Sequence, residues 1–280
     1  MIFISLLSYI TWDVNPDMFV IPGLNHPVRW YGVLWAVGLI LSQVMMSYIY
    51  KREGRTEGEV DTMTLYLIFG TLLGARLGHV LFYDPVYYLQ HPLSILAVWE
   101  GGLASHGGGL GILISAYLFS RKTNVSYLWI LDRLSIVAAL TGCFIRLGNL
   151  MNSEMVGIPT NVPWAFIFIQ IDNLPRHPAQ LYEAIYCLFL FVGLFIVWHR
   201  YKDRMKVGTL VGWFLIILFS LRFADEFLKI DQVAFEAHMP LNMGQLLSLP
   251  FILAGILILL INKRKKAAQD SIESTEKFSD

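Results

Sequence analysis

With 280 residues, 56% of them apolar and only 15% charged, the chain is too hydrophobic for a soluble globular domain, and its mean hydropathy of +0.56 makes lipid part of its solvent. Lys and Arg balance Asp and Glu at 21 each, so no overall charge argues for nucleic acid, which is not an expected partner. The two cysteines, Cys143 and Cys187, lie inside apolar runs; they form neither a spaced disulfide framework nor a metal set and are read as small buried residues.

In chain order, the run Met1 to Ile10 is apolar but short. It lacks a basic leader and a small-residue cleavage pattern, so it is read as lying on the membrane surface and not as a signal peptide. Seven stretches, at roughly 30–50, 62–83, 103–120, 127–149, 179–198, 208–228 and 242–261, are read as long enough to cross a hydrocarbon core, which needs about 20 residues of helix. The expected fold is an all-α membrane protein, a polytopic bundle of about seven transmembrane helices. Residues 1–262 form one catalytic domain, and the basic then polar tail 263–280 is expected to be disordered.

Positive charge in the breaks sets orientation. Lys51, Arg52 and Arg55, Arg121 and Lys122, Arg200 to Lys206, and Lys263 to Lys266 mark alternate breaks as cytoplasmic, whereas the other breaks hold only Arg29, Arg176 and Lys229. The N-terminus is therefore expected outside and the C-terminus inside.

Four arginines remain within the spans, where charge is costly enough to suggest a functional site. A rise of about 1.5 Å per residue puts Arg146 about 28 Å from the inner end of its helix, and Arg76 and Arg222 about 21 to 22 Å. Arg133, beside Asp132, stays near the inner face. Tyr31, His106, Asn149, Asn152, Glu154, Gln180, Tyr182 and Glu183 lie at the outer ends of other spans, so polar groups from several helices share one depth. Taken singly, a boundary arginine snorkels and a boundary tyrosine belongs to the aromatic belt; convergence favours a site facing the outer leaflet.

Local patterns sharpen this reading. EGGLASHGGGLG at Glu100 to Gly111 surrounds His106 with glycine, which fits either a broken helix start that presents the imidazole or close helix packing. In IRLGNLMNSEMVG, Arg146, Asn149 and Glu154 come near one face only if the helix breaks before Glu154. LRFADEFLK spaces Arg222 and Glu226 at i and i+4, and HPAQLYEA opens a span with proline and puts Gln180 and Glu183 on one side.

Together VRWYG (from Val28), GARLGHVLFY (from Gly74), GGLASHGG, RLGNLMNSEMVG, HPAQLYEA, LRFADEF and MGQLLSLP (from Met243) resemble the prolipoprotein diacylglyceryl transferases over roughly residues 25 to 262. The resemblance implies transfer of the diacylglyceryl part of phosphatidylglycerol to the thiol of a lipobox cysteine in a prolipoprotein signal peptide. A thioether forms and glycerol phosphate leaves, in the bacterial inner membrane and without metal or other cofactor. The family positions it carries over are Tyr31, His106, Arg146, Asn149, Glu154, Gly157, Arg222 and Glu226. The chain departs from the family pattern at Ile145, where glycine is usual, and at Leu218, where tyrosine is common.

The chemistry asks for the same parts. A thiol with a pKa of about 8.5 is mostly protonated at neutral pH and needs a base or a positive field. His106 is the candidate base, with Arg146 and Arg222 holding the leaving phosphate. Tyr31, Arg76, Asn149, Asn152, Glu154, Gly157, Gln180, Glu183 and Glu226 are the candidate substrate-binding residues. A transporter would need polar groups along the full depth, and the inner half is nearly empty of them.

Overall fold

The computed structural model describes residues 9–23, 26–230 and 239–276, so most of the expected surface segment at 1–10 lies outside the described residues. The chain divides into two compact units, Met1–Ser42 with Leu134–Asp280, and Gln43–Arg133. Each expected span meets a long helix: α1 (Trp30–Arg52), α2 (Glu57–Phe82), α4 (Ser105–Thr123), α5 (Tyr127–Met151), α6 (Ala179–Tyr201), α7 (Thr209–Asp225) and α8 (Met243–Glu276), with a short α3 (Pro85–Gln90) in the break after α2. Among the described residues, α1, α2, α5, α6 and the Met243–Arg264 part of α8 are long and apolar enough to cross a membrane. The 17-residue α7 is short by that measure, and the glycine-rich α4 is the less apolar of the remaining two. Ile40, Phe69, Leu73, Phe189 and Leu253 are each more than half exposed, as befits side chains that face lipid.

Helix ends follow local chemistry. The Thr56 amide donates to Glu59 Oε2 at 3.3 Å at the start of α2, a capping interaction. Gly101 and Gly102, with φ of 88° and 69°, turn the chain into α4. Asn124, left-handed at φ 53°, ends it. At the start of α8, the Asn242 amide donates to Gln245 Oε1 and the Gln245 amide to Asn242 Oδ1, a reciprocal cap. α8 is drawn to Glu276, through a stretch rich in Lys, Arg, Ala and Gln, which are good helix formers. Residues 277–280 lie outside the described set.

Hydropathy did not anticipate short strands. β1 (Ile10–Trp12) pairs in parallel with β4 (Phe166–Phe168), which pairs antiparallel with β5 (Pro175–Arg176); β2 (Asp17–Ile21) and β3 (His26–Arg29) form a hairpin. Leu150, Val156, Phe166 and Phe168 make a core beneath the first sheet, with Trp12 and Leu181 against it. The Trp12 indole donates to the Leu150 carbonyl at 3.0 Å, tying β1 to the end of α5.

In the first unit, Ser42 Oγ bonds Thr141 Oγ1 at 2.7 Å, and α7 meets α8 where a Cβ on Gly255 would lie 2.7 Å from the Gly212 carbonyl; small residues permit such crossings. Cys143 and Cys187 are free and buried beside Ala184, with Leu147, Tyr186 and Leu218 packed against them. In the second unit, Gly107 and Gly111 of α4 face Gly70, Gly74 and Gly78 of α2 with no room for a Cβ. The glycine-rich run thus combines a turn at Gly101 and Gly102 with close helix packing beyond it. Arg133 grips Glu53 through Nε and Nη2 at 3.1 and 2.8 Å and covers the Trp129 ring at 4.1 Å.

Candidate active site

α5 stops at Met151, and Ser153 and Met155 take left-handed φ values of 53° and 58°. The break folds Glu154 back onto the helix. Its carboxylate accepts from Asn149 Nδ2 at 3.2 Å and Asn152 Nδ2 at 3.1 Å, while Arg146 Nη1 donates to Asn149 Oδ1 at 3.3 Å. Arg146, Asn149 and Glu154 thus meet as the sequence required. Gln180 Nε2 donates to the Glu154 carbonyl at 3.0 Å, tying the first turn of α6 to this bend.

One turn along α6, Glu183 is only 2% exposed. One of its oxygens takes Arg146 Nε at 2.5 Å, and the other takes Lys229 Nζ. Lys229, 1% exposed at its side chain, also pairs with Asp225 at 3.3 Å and Glu226 at 3.0 Å. Glu226 faces Arg222 Nη2 at 3.6 Å and accepts from Asn242 Nδ2 at 3.2 Å. Gly244 lies flat on this carboxyl, since a Cβ there would come within 2.5 Å of it. Buried charges persist only when paired, and here Arg146, Lys229 and Arg222 alternate with Glu183, Asp225 and Glu226 in one chain of contacts.

Lys229 and Asp225 are the site residues that sequence reasoning missed. Lys229 was counted as a charge in an outer break, yet its spacing of four and three residues from Asp225 and Glu226 was a readable helical pairing signal. Arg176, another such cation, is also largely buried and bonded to Asp172 and the Gly157 carbonyl.

Gly157 lies where three strands of chain cross. Its amide donates to the His177 carbonyl at 2.9 Å, the next amide, of Ile158, donates to the Leu228 carbonyl at 2.8 Å, and Gly157 bridges Lys229. This crossing fixes the backbone that carries Lys229. Tyr31, at the start of α1, packs on Gly148, where a Cβ would lie 2.9 Å from its ring.

Arg76 and His106 belong to the second unit. Arg76, 3% exposed, spends its guanidinium on backbone carbonyls: Nε on Ile95 at 2.9 Å, Nη1 on Gly101 at 2.5 Å and Gly102 at 3.2 Å, and Nη2 on Ser94. It braces the segment leading into α4. His106 is exposed on the first turn of α4.

Beside α6, the Trp164 indole donates to Tyr182 Oη at 2.8 Å, and Tyr182 Oη lies 3.0 Å from His177 Nδ1. The hydroxyl, already an acceptor, donates to a neutral imidazole. Burial holds the His177 pKa below its ordinary 6.5. The unfolded chain then binds the proton more readily, so stability rises with pH across that window and is lost as pH falls below about 6.5. The melting midpoint in detergent is expected to fall from pH 7.5 to 5.5 with a shallower slope in His177→Gln; equal slopes would remove His177 as the cause.

The family model described as prolipoprotein diacylglyceryl transferase matches residues 16–261. Relatives called phosphatidylglycerol–prolipoprotein diacylglyceryl transferase include one from Tolumonas auensis, 46% identical over 257 residues (91% of this chain, 98% of the relative). Another, from Chloroherpeton thalassium, is 45% identical over 253 residues (90% and 94%). A third, from Bacteroides fragilis, is 43% identical over 277 residues (95% and 99%). With nearly the whole length matched at this identity, the chain belongs to the prolipoprotein diacylglyceryl transferase family.

Proposed function

We propose that this chain is a transferase that moves the diacylglyceryl group of phosphatidylglycerol to the cysteine thiol of a prolipoprotein lipobox, the first step of bacterial lipoprotein maturation. The names of its relatives support the reaction. The observation that carries the assignment of a site is the half-buried pair Arg146 and Arg222, 17% and 32% exposed at their side chains, each backed by a buried carboxylate. Such guanidiniums suit a phosphodiester headgroup.

In the reaction a carbon–sulfur bond forms at the glycerol carbon while its bond to the phosphate oxygen breaks. The thiol proton goes to a base, and glycerol phosphate leaves with the electron pair. Arg146 and Arg222 would hold the developing phosphate charge, and Asn149, Glu154 and Tyr31 would position the headgroup and Arg146. His106 is assigned the thiol proton on residue type and exposure. The seven long helices are read as spans in the bacterial inner membrane, with the N-terminus outside, the C-terminus cytoplasmic and the site towards the outer leaflet. The break charges support this topology.

The test is transfer of radiolabelled diacylglyceryl from phosphatidylglycerol to a synthetic lipobox peptide by the purified protein. Label is expected on the Cys peptide and not on a Cys-to-Ser peptide. Arg146→Ala is expected to lose about 100-fold or more, the scale of one oxyanion contact. Folded protein without transfer, or Arg146→Ala with full activity, sinks the assignment, and His106→Gln at full rate removes the base role from His106.

A further inference from the structure

We propose that Lys229 is a positioning residue that acts as an internal counter-ion of the site, offsetting part of the negative charge of Glu183, Asp225 and Glu226 so that the positive field of Arg146 and Arg222 stays open to an anionic headgroup. The inference rests on the headgroup reading above and adds a determinant of lipid affinity that does not touch the lipid. With its side chain 1% exposed, Lys229 has no surface to offer a substrate. Its ammonium instead meets Glu183, Asp225 and Glu226.

Charge balance gives the argument its force. Without Lys229, two arginines would face three buried carboxylates, and the site would repel a phosphodiester. With it, three cations meet three anions, and the arginines are only partly engaged. Arg146 uses Nε on Glu183 and Nη1 on Asn149, and the Arg222 contact to Glu226 is long at 3.6 Å. A guanidinium carries five N–H donors, so each arginine keeps donors for a phosphate. The backbone crossing holds the lysine in place: Gly157 bridges Lys229, and the Ile158 amide donates to the Leu228 carbonyl at 2.8 Å.

The test uses the full-length protein with phosphatidylglycerol in mixed micelles and a lipobox peptide, comparing wild type, Lys229→Met, Lys229→Arg and the charge-balanced Asp225→Asn/Lys229→Met double variant. Lys229→Met is expected to raise KM for phosphatidylglycerol about tenfold or more, with kcat changed less than about threefold. Lys229→Arg is expected to stay near wild type, and the double variant to bring KM back to within about threefold of it. A brace without an electrostatic role would leave the double variant as impaired as the single one, and that result overturns the proposal, as does an unchanged KM in Lys229→Met. Melting in detergent accompanies each assay. If Lys229→Met does not fold, a folded double variant with wild-type KM still supports the proposal, whereas failure of both to fold makes Lys229 a structural brace and ends it. An inactive wild type sinks the headgroup reading; an active wild type with an indifferent Lys229→Met sinks this inference alone.

Discussion

Replacing Glu183 by alanine is expected to destabilise the protein by about 3 to 5 kcal/mol, the usual cost of leaving buried charge without its partner, and to abolish transfer. Glu183 is the shared anion of Arg146 and Lys229 and is 2% exposed, so its loss leaves a fully buried lysine and a half-buried arginine without their common partner. Glu183→Gln keeps the shape and a hydrogen-bond acceptor but not the charge, and an intermediate loss is expected. Thermal unfolding in detergent with the transfer assay checks both variants. A Glu183→Ala protein that melts like wild type would mean that the arginine and lysine find other anions.

Gly157→Ala is expected to be as damaging for a different reason. An added Cβ would lie 2.5 Å from His177 Cβ and 2.6 Å from both the His177 and Leu228 carbonyl oxygens. Backbone cannot yield there without breaking the bonds from Gly157 to His177 and from Ile158 to Leu228. A cost of about 3 kcal/mol or more follows from overpacking and lost hydrogen bonds, with loss of transfer because Lys229 shifts with the crossing. Normal melting and activity in Gly157→Ala would contradict this account.

The helices were legible because each carries its own signal, about 20 apolar residues between polar breaks. The bend after Met151 was legible too, since Arg146, Asn149 and Glu154 can share a face only through a break. Lys229 and Arg176 were not. A cation in a short break counts equally as a topology marker and as a buried partner, and only the packing of 156–158 against 175–177 and 228–230 distinguishes the two. The strands carry little signal because each is at most five residues long, and β1 with β4 pair across a long separation in sequence. Arg76 showed a charge in a span, but its carbonyl partners lie in a single 3-10 turn, Pro92–Leu96, and at Gly101 and Gly102, stretches too short to carry a periodicity.

The parallel pairing of β1 with β4 also orders events during synthesis. The Gln170 side chain reaches back to the Val14 carbonyl across 156 positions, and Ile10 to Trp12 can pair only once Phe166 to Phe168 exist. The first residues of the sheet must therefore wait, unpaired, while α1 to α5 are made. Contacts of such sequence separation are slow to close. Completion of this sheet is thus a late step of biogenesis, and it draws together the two ends of a long stretch of chain already committed to the membrane.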